Sequence, residues 1–399
     1  MSPIRMNAFY KKYFTDWFKD SKNQLLIKKL ERSKSRALIG LLKSELNGSI
    51  RFIKRIDHDP KIAAFDFDLN EIASALLNQV HTKGKDQFNS FSNLEAECQS
   101  IFGVDIALLN VKGQIPSLKE NGYLIAPFKI TQNQIAGILN ASSSYIFKSR
   151  IASGQTFSGA ELEALGKAGK MPNLGLGDTF WIEDQNNFVR EPEIFSLATD
   201  PLIISCVKEY FGCMPILVQA NTWYSFPSNI QQNNLSENAQ YFHQDKDFIK
   251  FLKVFIYLND VDEDNGPHCY IQGSHHDTLN SKGVPFSDRV MDAEIESYYP
   301  KSRSKRVLGS SGTIIFGDTS CAHKGAPVKS GVRKILQFEY ATSLYLSGNR
   351  PFETLSNELK KGLPYQGWKL ERLLQNFNSN LRLQFDNRKT QNFLTKFFN

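Results

Sequence analysis

The feature that most constrains this chain is a succession of short segments, rich in β-branched and aromatic residues, in its second half. Turn-forming clusters of Gly, Asp, Asn, Pro and Ser separate these segments. Short strands divided by such turns are typical of an antiparallel barrel or jelly roll, whereas a parallel sheet would need a helix between successive strands. The predicted strands lie within residues 215–226, 249–260, 268–275, 312–318 and 333–343.

Helical periodicity flanks the β-rich region on both sides, so the predicted fold class is α+β. Residues 1–115 predict a basic, mostly helical N-terminal extension, 116–349 a β domain, and 350–399 a helical segment that packs on that domain. Thr131 is expected to cap a helix. Residues 150–178 are rich in Gly, Ala and Ser and predict a loop over a site.

The basic residues of the chain are concentrated at its N-terminus. The 399 residues carry a formal net charge of +7, and residues 1–55 alone hold 14 Lys or Arg against four acidic residues. One interpretation is contact with an anionic membrane surface or nucleic acid; the other is a solvated helix face that packs its leucines on the body. The second is favoured, because a basic stripe without an aromatic platform is unspecific, and nucleic acid is not expected as a partner.

Composition also bears on the compartment. No stretch approaches 18 apolar residues, so no transmembrane segment is expected, and the first residues lack the apolar core of a secretory signal. The five cysteines are scattered and include no CxxC pair, which argues against a disulfide framework and a thiolate zinc site. These observations predict a cytoplasmic protein.

Three residues predict a metal site. His243 and Asp245 are two positions apart, so on a strand both side chains point to the same face. His323 can add a second imidazole if its segment runs beside the first. Two imidazoles and a carboxylate leave one side of the metal open, as non-haem Fe(II) oxygenases require for a bidentate co-substrate and O₂. Arg333, ten residues beyond His323, could grip the distal carboxylate of a dicarboxylic co-substrate.

A bare His-x-Asp is a weak signal, and zinc is the competing metal because two His and one carboxylate also serve hydrolases. The order of the motifs strengthens the iron interpretation, as do the absence of HExxH and the presence of Arg333. The remaining histidines are assigned to structure or surface: His58, His81, His268, His275 and His276.

With these motifs in place, the sequence resembles the phytanoyl-CoA dioxygenase family of Fe(II)- and 2-oxoglutarate-dependent oxygenases. The likeness covers roughly residues 116–345. It is carried by LKENGYLIAPF (118–128), DPLIISCVKEYFGCMPIL (200–217), YFHQDKDF (241–248), LNDVDEDNGPHCYIQGSHH (258–276) and HKGAPVKSGVRKILQFEYA (323–341).

The resemblance implies a double-stranded β-helix, a jelly-roll or cupin-like core, with Fe(II) at His243, Asp245 and His323. It implies that Arg333 binds the 2-oxoglutarate tail. Four further residues are expected to line the co-substrate or substrate pocket by strand alternation: Gln219, Asn221, Trp223 and Phe255.

The implied activity is hydroxylation of an unactivated C–H bond in a small-molecule or carrier-bound substrate, with O₂ consumed and succinate and CO₂ released. Halogenating relatives lack the metal-binding carboxylate, and Asp245 is present here, which favours hydroxylation. Desaturation and ring closure stay open, because both begin with the same hydrogen abstraction. Two other hypotheses remain open at this point. One is a metal-dependent hydrolase on the same triad; the other is a non-catalytic barrel that docks on anionic partners through its basic N-terminal segment.

Overall fold

The computed structural model describes most of the β-rich part of the chain and little of either end. The described residues are 111–149, 154–169, 179–211, 214–227, 239–245, 247–248, 250–285, 289–342, 355–356, 359–360, 363 and 373–377. The predictions made for the basic segment 1–55 therefore lie outside the described residues.

Helices and strands alternate in the first part of the described chain, and strands dominate the second part. The described α-helices are α1 (Val111–Asn121), α2 (Gln132–Ser142), α3 (Gly159–Lys167), α4 (Gln185–Phe188), α5 (Pro192–Ala198), α6 (Pro201–Phe211) and α7 (Asp292–Tyr298). The described strands are β1 (Tyr123–Lys129), β2 (Ile146–Ser149), β3 (Thr156–Ser158), β4 (Thr179–Ile182), β5 (Ile216–Ser225), β6 (Phe251–Tyr257), β7 (His268–Ile271), β8 (Ser304–Val307), β9 (Thr313–Gly317), β10 (His323–Gly325) and β11 (Arg333–Ala341). Short 3₁₀ turns occur at Asn280–Lys282, Lys301–Arg303 and Gln375–Phe377.

The larger sheet has eight antiparallel strands in the order β1-β9-β6-β11-β5-β4-β2-β3. Its central strands are buried on both faces, and their side chains alternate between two environments. On β11, Leu336, Phe338 and Tyr340 belong to the main core cluster, which also contains the buried residues of α5 and α6. We call this helix-covered side the outer face of the sheet.

The smaller sheet has three antiparallel strands in the order β10-β7-β8. It lies against the other side of the larger sheet, which we call the inner face. A separate core cluster joins the two layers: Phe255, Ile315 and Ile335 of the larger sheet pack with Tyr270 and Val307 of the smaller one. The residues that the sequence analysis selected for chemistry come from these two facing layers.

The predicted α+β fold with a jelly-roll core is confirmed. All five predicted strand segments contain strands, and the helices cover the outer face. The strands of the described residues form two separate sheets rather than one closed barrel. The predicted helix after Thr131 is also confirmed, because the Thr131 hydroxyl accepts from the Gln134 backbone N–H while the Gln134 side chain accepts from the Thr131 N–H.

The sequence analysis was wrong about part of residues 150–178. Instead of a loop over a site, this part of the chain contains β3 and the helix α3. The Ser158 hydroxyl and the Glu161 side chain form a capping box that starts α3, and Leu162 is buried in the main core cluster. Glu163 bonds to Tyr224 and Lys334 on the outer face, so this helix lies on the side of the sheet opposite the predicted site.

The first and last described segments lie near the predicted domain boundaries. Helix α1 runs across the predicted boundary at 115/116 and ends at Gly122, which has a φ of +82° and donates its N–H to the Leu118 carbonyl. Leu373, Leu374 and Phe377 are buried in the main core cluster. Within the described part of the chain, no helix combines the length and apolar character needed to cross a membrane.

Candidate metal and co-substrate site

His243, Asp245 and His323 come together between the two sheets. Their candidate ligand atoms all lie within 4.8 Å of one another. His243 and His323 are paired across an isolated β-bridge, in which each backbone N–H donates to the other's carbonyl at 3.0 and 2.9 Å. The Asp245 N–H donates to the Thr319 carbonyl at 2.8 Å. Backbone pairing therefore sets the positions of all three residues.

The two imidazoles are oriented by backbone carbonyls. His243 Nδ1 lies 2.9 Å from the Tyr241 carbonyl, and His323 Nδ1 lies 3.0 Å from the Cys321 carbonyl. A carbonyl oxygen can only accept, so Nδ1 donates in both rings, and Nε2 is the ring atom on the side of Asp245 that can bind a metal. The Nε2 atoms lie 3.6 and 3.4 Å from the Asp245 carboxylate oxygens. Burial, and then the nearby His323, lower the pKa of His243 to about 3, so its ring is neutral.

Lys253 is a neighbour of this triad that the sequence analysis missed. Its Nζ lies 2.7 Å from Asp245 Oδ2 and 2.7 Å from Asp247 Oδ2. Burial would raise the pKa of Asp245, but Lys253 and His323 hold it well below its ordinary value. For Lys253 the directions are reversed. Burial lowers its pKa, but the nearby carboxylates of Asp245, Asp247 and Glu339 raise it more, so its pKa lies above the ordinary value. The signal in the sequence was a single charged residue in the otherwise apolar segment FLKVFIY, which forms β6.

Two of the four predicted pocket residues present unpartnered polar atoms on the inner face. The Gln219 amide N–H donates to Glu339 Oε2 at 2.5 Å, while its Oε1 has no hydrogen-bond partner. Asn221 Oδ1 also lacks a partner, although Asn221 is only 5% exposed. Glu339 lies beside both Gln219 and Lys253 in the register of the sheet. The inner face thus carries two buried acceptors to which no protein group donates.

The other two predicted pocket residues are aromatic. Trp223 stacks on Trp181 with ring centroids 4.2 Å apart and meets Phe255 edge-on at 6.4 Å. Phe255 in turn contacts the ring of His268 at 4.3 Å. Both residues belong to the cluster that joins the two sheets. They form an apolar wall beside the triad.

Arg333 is buried at the first position of β11, 3% exposed. Its guanidinium donates to the Gly266 and Ala326 carbonyls and to the Ser225 hydroxyl, while Nε has no partner. A Cβ placed on Gly325 would lie 2.8 Å from both terminal nitrogens of Arg333. Gly325 is two residues beyond His323 on β10, which is about 7 Å along a strand. Arg333 is therefore close to the metal-binding triad.

Within the described residues, the two buried histidines outside the triad, His268 and His275, have different surroundings. His275 is tied into the fold, because its ring nitrogens lie 2.8 Å from Cys321 Sγ and 2.8 Å from the Lys119 carbonyl. His268 is different, since its buried ring stacks on His323 with centroids 5.8 Å apart. The assignment of His268 to structure or surface missed this position, because the sequence does not show which face of β7 is buried against the triad.

The donor set fits a divalent transition metal. Imidazoles oriented through Nδ1 and a carboxylate held by a buried lysine are the ligand types of a facial triad, with outer contacts that orient each ligand. The buried guanidinium of Arg333 fits the distal carboxylate of a dicarboxylic acid. These residues could thus hold iron and 2-oxoglutarate side by side.

Comparison with protein families gives one match and comparison with solved structures gives distant ones. The phytanoyl-CoA dioxygenase (PhyH) family model matches residues 118–335, more than half of the chain. No curated protein matches. The solved structures include SnoK, a non-heme alpha ketoglutarate dependent carbocyclase from nogalamycin biosynthesis. It is 16% identical, with 57% of this chain and 83% of that chain covered and a TM-score of 0.40.

Two further structures are similar to the same degree. HygX from Streptomyces hygroscopicus, with nickel and 2-oxoglutarate bound, is 16% identical over 64% of this chain and 95% of its own, with a TM-score of 0.40. EctD from S. alaskensis in its apo form is 17% identical over 60% and 81%, with a TM-score of 0.40. Such distant structures transfer no residue roles. The family match, by contrast, spans most of the described β domain, and this chain belongs to the phytanoyl-CoA dioxygenase family, whose members are non-haem iron, 2-oxoglutarate-dependent oxygenases.

Proposed function

We propose that this oxygenase hydroxylates an unactivated C–H bond of a small-molecule or carrier-bound substrate. 2-Oxoglutarate and O₂ are consumed, and succinate, CO₂ and the hydroxylated product are released. The observation that carries the proposal is the triad itself: three ligand atoms within 4.8 Å, with both imidazoles held through Nδ1 by backbone carbonyls. The presence of the Asp245 carboxylate favours hydroxylation over halogenation.

In this proposal each residue has a distinct task. His243, Asp245 and His323 hold Fe(II), which, when bound with 2-oxoglutarate, supplies the oxidative chemistry with O₂. Arg333 binds the far carboxylate of 2-oxoglutarate through its guanidinium, whose Nε has no protein partner. That contact fixes the end of the co-substrate that is remote from the metal and so restricts its orientation.

The remaining predicted pocket residues shape the space around the reacting groups. Gln219 and Asn221 offer amide oxygens that can accept hydrogen bonds from a polar substrate or from ordered water. Trp223 and Phe255 contribute an apolar wall that excludes bulk water from the same space. A pocket with one polar and one apolar side suits a substrate that carries both kinds of group.

A cytoplasmic location and the role of the N-terminal segment remain part of the proposal. The location is supported by the five scattered cysteines of the sequence, which include no CxxC pair. The basic residues within 1–55 are proposed to form a solvated helix face, with peripheral contact to an anionic membrane surface as the alternative.

The proposal is tested by measuring 2-oxoglutarate turnover with purified protein, Fe(II) and ascorbate under air. We expect slow succinate formation without substrate, no formation in His243→Ala, and an increase when a screened compound is hydroxylated in equal amount to the succinate formed. Mass spectrometry of that compound should show a gain of one oxygen atom. Succinate formation that survives His243→Ala, or a product lacking two hydrogens instead of gaining oxygen, would contradict the proposal.

A further inference from the structure

His268 stands apart from the other buried histidines of the described residues. It lies at the start of β7 with 5% of its surface exposed, and neither ring nitrogen has a hydrogen-bond partner. His243, His275 and His323 each have at least one ring nitrogen bonded to a protein group. Buried polar atoms are rarely left without a partner, so a group outside the protein is expected to bond to this ring.

The position of His268 indicates what that group is. In the smaller sheet, His268 pairs with Gly325, two residues beyond the triad residue His323 on the same strand. Directly paired residues on antiparallel strands point to the same face, and Gly325 has no side chain to fill the space in front of it. The terminal nitrogens of Arg333 lie at that glycine. The His268 ring is therefore near both the metal ligand His323, whose ring centroid is 5.8 Å away, and the arginine.

The surroundings of the ring leave it few alternatives among protein groups. One side of His268 contacts Phe255 at 4.3 Å, and Tyr270 stacks on it at 5.1 Å. Neither the phenylalanine ring nor the stacked face of the tyrosine offers a conventional hydrogen-bond partner to the imidazole edge. The backbone N–H of His268 is already bonded to Tyr257 Oη at 3.1 Å. Only the ring nitrogens are unused.

We infer that the His268 imidazole donates a hydrogen bond to 2-oxoglutarate where that molecule spans from the triad to Arg333. The inference rests on the proposed function, since it takes the metal and Arg333 as the two ends of the co-substrate site. Either neutral tautomer of an imidazole has one N–H donor, and a carboxylate or keto oxygen accepts from it. His268 is then a co-substrate-binding residue, in addition to the arginine.

The test compares His268→Leu, which removes both nitrogens, with His268→Gln, which keeps an N–H donor. The exposed His276→Gln serves as the control. Each purified protein is titrated anaerobically with Fe(II) and then with 2-oxoglutarate, and the melting temperature of the metal-free protein is measured. We expect His268→Leu to weaken 2-oxoglutarate binding roughly tenfold, as for a hydrogen bond to a charged acceptor, with Fe(II) binding unchanged. His268→Gln should recover most of that affinity.

The melting temperature of the metal-free protein distinguishes a co-substrate contact of His268 from a structural role. Because His268→Leu deletes buried nitrogens that no protein group satisfies, the metal-free variant should melt at the same temperature as the wild type or higher. Wild-type affinity for 2-oxoglutarate in His268→Leu would overturn the inference, as would equal losses of Fe(II) and 2-oxoglutarate binding, which would mean that the ring only supports His323. If the wild-type protein does not bind 2-oxoglutarate, both the proposed function and the inference about His268 are wrong. If Arg333→Ala loses 2-oxoglutarate binding but His268→Leu does not, only the inference about His268 is wrong.

Discussion

The two faces of the eight-stranded sheet differ in how completely the protein satisfies its own polar groups. On the outer face, Glu163 accepts from Tyr224 Oη and Lys334 Nζ at 2.8 Å each, and Tyr340 Oη donates to the Ala198 carbonyl at 2.6 Å. On the inner face and the sheet opposite it, several buried polar atoms have no partner: Gln219 Oε1, Asn221 Oδ1, Arg333 Nε, Tyr270 Oη and both ring nitrogens of His268.

The two faces of the sheet therefore have different roles. The outer face is complete as a folded core, because its apolar residues are covered by helices and its polar groups bond to one another. The inner face carries unsatisfied groups that cost stability unless a ligand or water bonds to them. Such a cost is expected where a sheet is arranged to bind something that the chain does not supply.

The largest expected effect is on Lys253, whose ammonium is the counter-charge for Asp245 and Asp247 on the inner side. Lys253→Met should lower the free energy of unfolding of the metal-free protein by about 3 kcal/mol, because it leaves the carboxylate of Asp245, whose side chain is only 20% exposed, without its counter-charge. A bound divalent ion should replace the missing charge, so saturating Mn²⁺ should raise the melting temperature of the variant more than that of wild type. Equal metal-dependent shifts in both proteins would contradict this role.

Two adjacent residues of β11, Arg333 and Lys334, allow the two faces to be compared directly. Arg333 points to the inner side and Lys334 to the outer side, where it bonds to Glu163. Arg333→Ala should raise the KM for 2-oxoglutarate at least about 30-fold, the equivalent of roughly 2 kcal/mol for a buried charge contact. Lys334→Ala should lower the melting temperature and leave that KM unchanged. Initial rates of succinate formation at varied 2-oxoglutarate measure both, and a raised KM in Lys334→Ala would break the distinction.

The pH dependence of stability should also originate on the inner side. His243 has a folded-state pKa of about 3, below the ordinary value of 6.5, because the ring is buried beside His323. The unfolded chain therefore binds more protons below pH 6.5, and the metal-free protein should lose stability as the pH falls from 6.5 toward 3. At pH 5 this histidine alone accounts for about 2 kcal/mol. Urea unfolding at pH 7 and pH 5 should show a smaller difference in His243→Asn than in wild type, and an identical difference would contradict the assignment.

The smallest expected effect comes from Asn221, whose Oδ1 is buried without a partner. Asn221→Leu keeps a similar volume and removes an unsatisfied oxygen, so the free energy of unfolding should not fall. If this oxygen accepts a bond from substrate or co-substrate, the corresponding KM should rise roughly fivefold, equivalent to about 1 kcal/mol. Chemical unfolding together with steady-state kinetics tests both parts; a destabilised variant with unchanged KM values would indicate a structural asparagine.

The strands could be predicted from sequence because they depend on local pattern, whereas the triad combines one local pattern, His243-x-Asp245, with the distant His323. Alternating β-branched and aromatic residues mark β5, β6 and β11, and the order His243, Asp245, His323, Arg333 follows the chain. The contacts of Lys253 and His268 could not be predicted, because they depend on strand register: Lys253 lies opposite Gly317 and Glu339, and His268 opposite Gly325. A lysine in an apolar strand and a histidine after a turn are equally compatible with the surface.

The error at residues 150–178 has a similar cause. The loop was predicted from composition, because Gly, Ala and Ser are common in loops. The Ser158–Glu161 capping box, which starts α3, was not taken into account. Composition averages over a segment, whereas the cap is a pair of residues three positions apart. The same limit applies to the site, where single register positions decide which side chains meet.

His243, Asp245 and His323 are proposed to form an iron site next to a 2-oxoglutarate site at Arg333. Anaerobic addition of Fe(II) and then 2-oxoglutarate to the purified protein tests it most directly, through the weak visible charge-transfer absorption of the chelate. We expect this absorption in wild type, its loss in His323→Ala, and a higher 2-oxoglutarate requirement in Arg333→Ala. Absence of the absorption in wild type at saturating ligand, or its survival in His323→Ala, would contradict the claim.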